Sequence, residues 1–418
     1  MQHVTQYGLK NGESQTPAPS MRTHIETFQA GSTSSRDRHA LSAKLLAAIC
    51  VLILAGILFA GLRPFHAPRN DVTWQEATGG LAFGKHGTVL GSGVFTTFGA
   101  KGQDYWSIEM WLQPNFRRKS ETLLAVYSQR HPTQMRIYRY QNGIVLQGEA
   151  WDTHGRSATA AAYIADVLSD GKLSLITITS GADGTTVYLN GVRVEHKSYF
   201  RLSNKSLNGQ LVVGNSPIED DSWTGLFTGL ALYDQELTDA VATRHYESWA
   251  HDGRPEIQES ERMVALYLFD ERHGNVVHNY GGSSTDLIIP LRYTILHEKF
   301  LDAPWNEFHA DWGDLKNILI NIGGFIPLGF FFCAYWSATR PFRPIAIATV
   351  LLGFLISLTI EIGQSQLPTR DSGMTDLITN TFGTYLGVAL HGRSSGLLRW
   401  SLNRVVSVVL RWSHPWGA

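Results

Sequence analysis

Apolar residues follow two different periods along this chain. From Leu45 to Leu62 they run without a charge, LLAAICVLILAGILFAGL. At about 1.5 Å rise per residue such a helix crosses most of a bilayer. Further apolar stretches are expected to form helices at about 318–336, 345–362 and 377–391. The last is short and is interrupted by Gly383 and Gly387, four apart on one helical face, a spacing that lets two helices approach closely in lipid. After it, 395–412 mixes Arg399, Arg404 and Arg411 with Leu, Val and Trp, the pattern of an amphipathic helix lying in the membrane interface.

Between the first and second apolar runs the period shortens to two. In SIEMWLQP, Ile108, Met110 and Leu112 share one face while Glu109, Trp111 and Gln113 share the other, which predicts a half-buried strand. KLSLITITS, then GADG, then TTVYLNGVRV reads as strand, turn and hairpin, with Asn190-Gly191 at a two-residue turn whose positions both need positive φ. Similar runs, LLAVYS, RIYRYQNGIVLQGEA, QLVVGN and LFTGLALYD, recur at the spacing of an all-β sandwich over about 72–290, with no long helical period competing. The Ser, Thr, Gln, Gly and Pro of residues 1–44 carry no hydrophobic period and are expected to form a disordered tail on the cytoplasmic side, in which Met21 offers a second possible start.

Lys and Arg number 35 against 36 Asp and Glu, so no net field draws nucleic acid, and none is expected as a partner. Cys50 and Cys333 both fall in apolar runs, leaving the polar middle without a disulfide or a cysteine metal site. Charge does fix an expected orientation. Arg36, Arg38 and Lys44 precede the first span, Arg340 and Arg343 fill the loop between the second and third, and Arg393 with Arg399 follows the fourth. These groups share one side, which the rule for basic loops makes cytoplasmic. The long segment before the first span favours retention over cleavage as a signal peptide. A multi-pass protein of the cell (inner) membrane is therefore expected, its N-terminus cytoplasmic and its β-domain periplasmic or extracellular.

The pieces SIEMWLQP, TVYLNGVRV, LVVGNSP and WTGLFTGLALYDQELT, in that order, resemble a concanavalin A-like, LamG-type jelly roll. The resemblance implies binding of glycans or proteins, sometimes with calcium. Trp106, Trp151 and Trp223 could stack on sugar rings or fill the core, and Asp220 with Asp221 could hold calcium or form a solvated loop. No other cofactor is implied. Farther on, N-x(3)-N-x(3)-FIPLG, E-x(2)-Q, an arginine and D-x(3)-N-x(2)-G resemble the VanZ-like family over about 314–391. The carrying residues are Asn321, Phe325, Pro327, Gly329, Glu361, Gln364, Arg370, Asp376, Asn380 and Gly383; where the family often has a further acidic residue, this chain has Gly373, with Asp371 nearby. Teicoplanin-type glycopeptide resistance is what that resemblance implies. The fold expected is thus a membrane α-helical bundle plus an all-β, concanavalin A-like jelly-roll sandwich, set between transmembrane helix 1 and a three-helix VanZ-like segment.

Polar residues inside apolar helices are costly and demand a role. Asn317 with Asn321, Glu361 with Gln364, and Asp376 with Asn380 each share a helical face, and Arg370 lies in the connection between the last two pairs. They could serve packing, or form a site for the polar head group of a membrane lipid or envelope precursor, Arg370 taking an anionic group and Glu361 or Asp376 a proton. No nucleophile stands at a recognisable spacing from a base, so catalysis stays open. Two functions follow: a tether that binds envelope polysaccharide, a peptidoglycan precursor or other envelope proteins, and an enzyme or transporter of lipid-linked glycans using Glu361, Arg370 and Asp376.

Overall fold

The alternating segments build two antiparallel sheets that face each other across one apolar core. The computed structural model describes residues 35–412 except 78, 97, 99–103, 152–156, 299, 308–311, 338–340 and 371, and the side chains of some flanking residues, Trp151 among them, also lie outside the description. One sheet runs β1 (Val72–Trp74), β2 (Leu81–Phe83), β13 (Gly225–Tyr233), β4 (Trp106–Pro114), β9 (Ser174–Gly181), β10 (Gly184–Leu189) and β11 (Val192–Lys197), with β14 (Met263–Tyr267) also paired to β13. The other runs β15 (Val276–Val277), β16 (Leu287–Ile288), β3 (Val89–Val94), β12 (Gln210–Val213), β5 (Ser120–Tyr127), β6 (Met135–Tyr140), β7 (Gly143–Trp151) and β8 (Ser157–Ile164). Strands distant in sequence, β13 with β4 and β12 with β5, pair antiparallel at the centre of each sheet, the crossover pattern of a jelly roll. Ile108, Met110 and Leu112 enter the core as their alternation predicts, meeting Val126, Leu211 and Val213 of the facing sheet. At the hairpin, Asn190 (φ 51) and Gly191 (φ 77) both adopt the left-handed conformation and register Leu189 against Val192.

The opposite face of β4 is not the solvated one that its polar residues suggest. Helix α2 (Asp239–Asp252) covers it, capped by Gly253 in the left-handed region, and Trp111 stacks between Tyr246 and Trp249 with centroids 6.0 and 5.9 Å away. Beneath the helix Glu109 is fully buried, accepting from Tyr233 Oη at 2.9 Å, and His245 bridges Glu109 (3.1 Å) and Glu261 (2.9 Å). Burial alone would lower the pKa of His245, but the hydrogen bonds and charges of the two carboxylates outweigh it and raise it above the ordinary 6.5.

The chain divides into a small unit holding both ends, Met1–Leu45 with Gly396–Ala418, and a large one, Leu46–Ser395. The described residues of the small unit are helical. Helix α1 (Ser35–Leu62) therefore starts within the segment expected to be a disordered tail, because RDRHALSAK after Ser35 contains good helix formers and no breaker. In the large unit, the short α3 (Pro304–Glu307) leads to α4 (Trp312–Ser337), α5 (Phe342–Gln364) and α6 (Met374–Trp412). Helices Leu41–Leu62, Trp312–Ser337 and Phe342–Gln364 are long and apolar enough to cross a membrane. The fourth expected span does not reach that standard. It runs on instead into the expected interfacial segment as one helix, α6, since nothing between 391 and 395 interrupts the hydrogen-bond ladder as a proline would.

What α6 does have is close contact with α4. A Cβ on Gly387 would stand 2.1 Å from the Ile326 carbonyl, and one on Gly329 only 2.0 Å from that of Thr384, so the two backbones touch where the glycines lie. On the other side Ile57 and Leu58 of α1 pack against Phe325, Leu328, Ile356 and Ile360.

Candidate functional site

Within the large unit, a cavity of about 1650 Å³ lies between the outward face of β6 and the ends of four helices. Helix direction explains the meeting. The C-termini of α1 and α5 and the N-termini of α4 and α6 reach the cavity, whereas Cys333, Ile345 and Val388 form a separate apolar cluster at the other end of the bundle. The sandwich is attached to α1 and α4 at the cavity end. The six polar residues singled out in the helices, Asn317, Asn321, Glu361, Gln364, Asp376 and Asn380, and Arg370 of the connection line this one space.

Each is held differently. Asn321 Nδ2 donates to Asp376 Oδ1 at 2.7 Å, tying the starts of α4 and α6 together. Gln364 Nε2 donates to the Gly61 carbonyl at 2.7 Å, satisfying an orphan acceptor in the last turn of α1. Glu361 is 1% exposed, and its Oε2 accepts from the Gly373 backbone N–H at 3.0 Å. Asp371 lies outside the described residues. The Gly373 segment is itself held by a bridge to Asp302, with Asp302 N donating to Ser372 O (3.1 Å) and Met374 N to Asp302 O (3.0 Å). Asn380 is 5% exposed and donates to Ser357 Oγ at 3.0 Å, but its side-chain oxygen, also buried, has no hydrogen-bond partner among the described residues. An unmet buried acceptor costs about 1–3 kcal/mol. Arg370 is exposed at the edge and forms no ion pair among the described residues, so the Glu361–Arg370 pairing that a purely structural role would use is not made.

The sandwich supplies the opposite wall through Ser120, Arg136, Tyr138, Tyr140 and residues 218–221. Because strand residues alternate, Met135 and Ile137 enter the core while Arg136, Tyr138 and Tyr140 point outward. The Arg136 guanidinium lies 4.6 Å from the centre of the Tyr138 ring and bonds Glu219 (2.9 Å) and Asp221. Asp220 accepts from Tyr293 Oη at 2.8 Å and lies 3.6 Å from Arg118. The acidic pair proposed for calcium is thus already engaged by basic and hydroxyl side chains, and no cluster with metal-ligand character occurs among the described residues.

The tryptophans are a correction. Trp106 and Trp223 are both 0% exposed, Trp106 donating from Nε1 to Leu202 O at 3.0 Å and Trp223 packing edge-on to Phe227 at 4.8 Å, so neither offers a face to a sugar. A sandwich core needs its largest apolar side chains inside, and these two fill it. Trp151 ends β7, and its side chain lies outside the described residues. Two aromatic residues that do line the cavity are Tyr138 and Tyr140, legible in RIYRY as an outward face with two rings and a cation.

Two family models match the chain: VanZ/LLP1 over residues 263–393, and the concanavalin A-like lectin/glucanases superfamily over residues 90–241. The first begins at the start of β14, well upstream of the helices that carried the sequence resemblance. No curated protein matches. Solved structures similar in fold include the SAP-like pentraxin of Limulus polyphemus, with 12% identity, 54% of this chain and 95% of that chain covered, and a TM-score of 0.31. Another is the ligand-binding domain of botulinum neurotoxin serotype D in complex with N-acetylneuraminic acid, at 12% identity and TM-score 0.31, where 51% of this chain spans 56% of that one. The binding domain of Paraclostridial mosquitocidal protein 1 gives 13%, 44%, 47% and 0.30 for the same measures. The chain thus joins a segment similar to the concanavalin A-like superfamily to one similar to VanZ/LLP1, with three helices long and apolar enough to cross a membrane among its described residues.

Proposed function

We propose that this protein binds the head group of a lipid-linked envelope glycan or peptidoglycan precursor, outside the cytoplasm, in the cavity that the sandwich and the helix ends enclose. One observation carries the reading: seven polar residues from three helices and one connection line a single space beside a lectin-like domain. Drug-sized sites occupy roughly 300–1,000 Å³. A cavity of about 1650 Å³ suits something larger, such as a head of more than one sugar ring. Arg370 is suited to a phosphate or carboxylate on that head. Asn380 and Glu361 are suited to its hydroxyl donors. Binding or shielding is favoured over chemistry, since Glu361 and Asp376 already accept hydrogen bonds from Gly373 N–H and Asn321. Shielding a precursor would be the counterpart of the glycopeptide resistance associated with VanZ-like proteins.

Orientation is part of the proposal. Arg343 lies at the end of α5 remote from the cavity, and keeping that basic loop in the cytoplasm would leave cavity and sandwich together on the outer side of the inner membrane. The test uses the full chain in lipid nanodiscs and a panel of lipid-linked saccharides with their free head groups. Binding to at least one lipid-linked member is expected, reduced at least about tenfold, or ~1.4 kcal/mol, in Glu361→Gln and Asn380→Ala. Equal binding by both variants would remove the cavity from the account. Impermeant thiol labelling of Asn317→Cys in spheroplasts is expected to succeed; labelling only in inverted vesicles would reverse the orientation.

A further inference from the structure

The cavity has three chemically distinct walls. The deep wall is acceptor-rich: Glu361 is 1% exposed and Asn380 5%, and the Asn380 side-chain oxygen stands there without a hydrogen-bond partner among the described residues. A hydroxyl-bearing ligand would supply the missing donor. Facing it, Tyr138 and Tyr140 stand two residues apart on the outward side of β6, Tyr140 44% exposed, a spacing that lets rings two residues apart on a strand act on one ligand. The third wall is apolar and belongs to the membrane: Ile57 and Ala60 of α1 face Ile320, Gly324 and Phe325 of α4. Beside Gly324 there is open space, for a Cβ placed there meets no heavy atom within 4 Å.

These three walls in one enclosure point to an occupant that is polar at one end and apolar at the other. We infer that the cavity takes its ligand lengthwise, as a glycolipid-like amphiphile whose first sugar ring lies on Tyr140 and Tyr138 while its chain leaves between α1 and α4 past Gly324. The inference rests on the head-group reading above and adds to it. The sandwich is then part of the lipid site, and its own saccharide contact is the outward face of β6. Tyrosine is suited to this place because its ring stacks on the apolar face of a sugar while its hydroxyl stays wet. The Arg136 guanidinium over Tyr138 fixes that ring and leaves Tyr140 as the more accessible platform.

The full chain in nanodiscs is exposed to dodecyl maltoside carrying a photoreactive diazirine at the end of its chain, with the matching diazirine alcohol as the sugar-free control. After irradiation and digestion, the maltoside is expected to label the α1–α4 seam around Ile57, Ile320 and Gly324 more strongly than the alcohol does. Tyr138→Ala with Tyr140→Ala is expected to reduce that labelling at least about tenfold, whereas Tyr138→Phe with Tyr140→Phe, which keeps both rings, retains most of it. Gly324→Leu, filling the open space, is expected to reduce it as well. Labelling that ignores the tyrosines and Gly324, or that follows the alcohol over all lipid-facing surfaces, overturns the lengthwise placement. If the tyrosine and glycine variants bind normally while Glu361→Gln and Asn380→Ala fail, the head-group site stands and this inference falls. Should none of the variants alter binding, both fall.

Discussion

His245 shows what a single side chain can do in this sandwich. It is fully buried between Glu109 and Glu261, and their hydrogen bonds and charges raise its pKa above 6.5 against the opposing pull of burial. A group whose folded pKa is raised contributes stability that is complete below its unfolded pKa and is lost as pH rises through the folded one. The melting temperature of the sandwich should therefore fall as pH is raised above about 6.5, with scanning calorimetry as the measurement. His245→Gln should lower stability by about 3 kcal/mol at pH 6, since it leaves buried Glu109 without its cation while Glu261 keeps Arg244, and should flatten the pH slope. A slope unchanged in the variant would remove His245 as its cause. None of this was legible in the sequence: Glu109 alternates with core residues and reads as a solvent-facing position, and only the helix packed over it reveals that it is buried. The helical polar residues were legible for the opposite reason. In an apolar helix each polar residue is conspicuous, and the shared faces of Asn317 with Asn321 and Asp376 with Asn380 follow from helical geometry alone. What the sequence could not show is that Arg370 forms no ion pair among the described residues and that Gly373 donates its backbone N–H to the Glu361 carboxylate.

Among elements, legibility tracked the strength of the local pattern. The β4 alternation and the Asn190-Gly191 hairpin were readable because each is a local rule with one solution. Helix α2 was missed although Ala242, His245 and Trp249 recur at helical spacing and Gly253 closes it, because it is one short helix within a long run of strand signals. Helix α6 was divided in two on hydropathy, a property that says where a helix prefers to lie and not where it ends. Its place in the bundle depends instead on the absence of side chains at Gly383, Gly387 and Gly329. Gly387→Val should separate α6 from α4, because a Cβ 2.1 Å from a backbone carbonyl can be accommodated only by moving a helix. Overpacking of this kind typically costs about 1–3 kcal/mol. The measurement is thermal aggregation of the purified full chain in lipid, with Gly323→Val, at a site where a Cβ meets nothing within 4 Å, as the matched control. Equal stability of the two variants would mean that the α4–α6 contact contributes little.

For the whole molecule, the central claim is that the sandwich and the polar helix ends close on one another, so that β6 forms one wall of a site whose other wall is the helix ends. Fold and membrane character were each accessible from sequence as separate patterns, one of period two and one of long apolar runs. Their juxtaposition was not, since no local rule relates the outward face of a strand near residue 140 to helix ends near residues 317 and 370. The direct measurement is photocrosslinking from position 140, with Tyr140 replaced by p-benzoylphenylalanine in the full chain in native membranes and the linked peptides mapped by mass spectrometry. Crosslinks to peptides covering residues 314–324 or 369–376 are the predicted result; crosslinks confined to the sandwich would contradict the account.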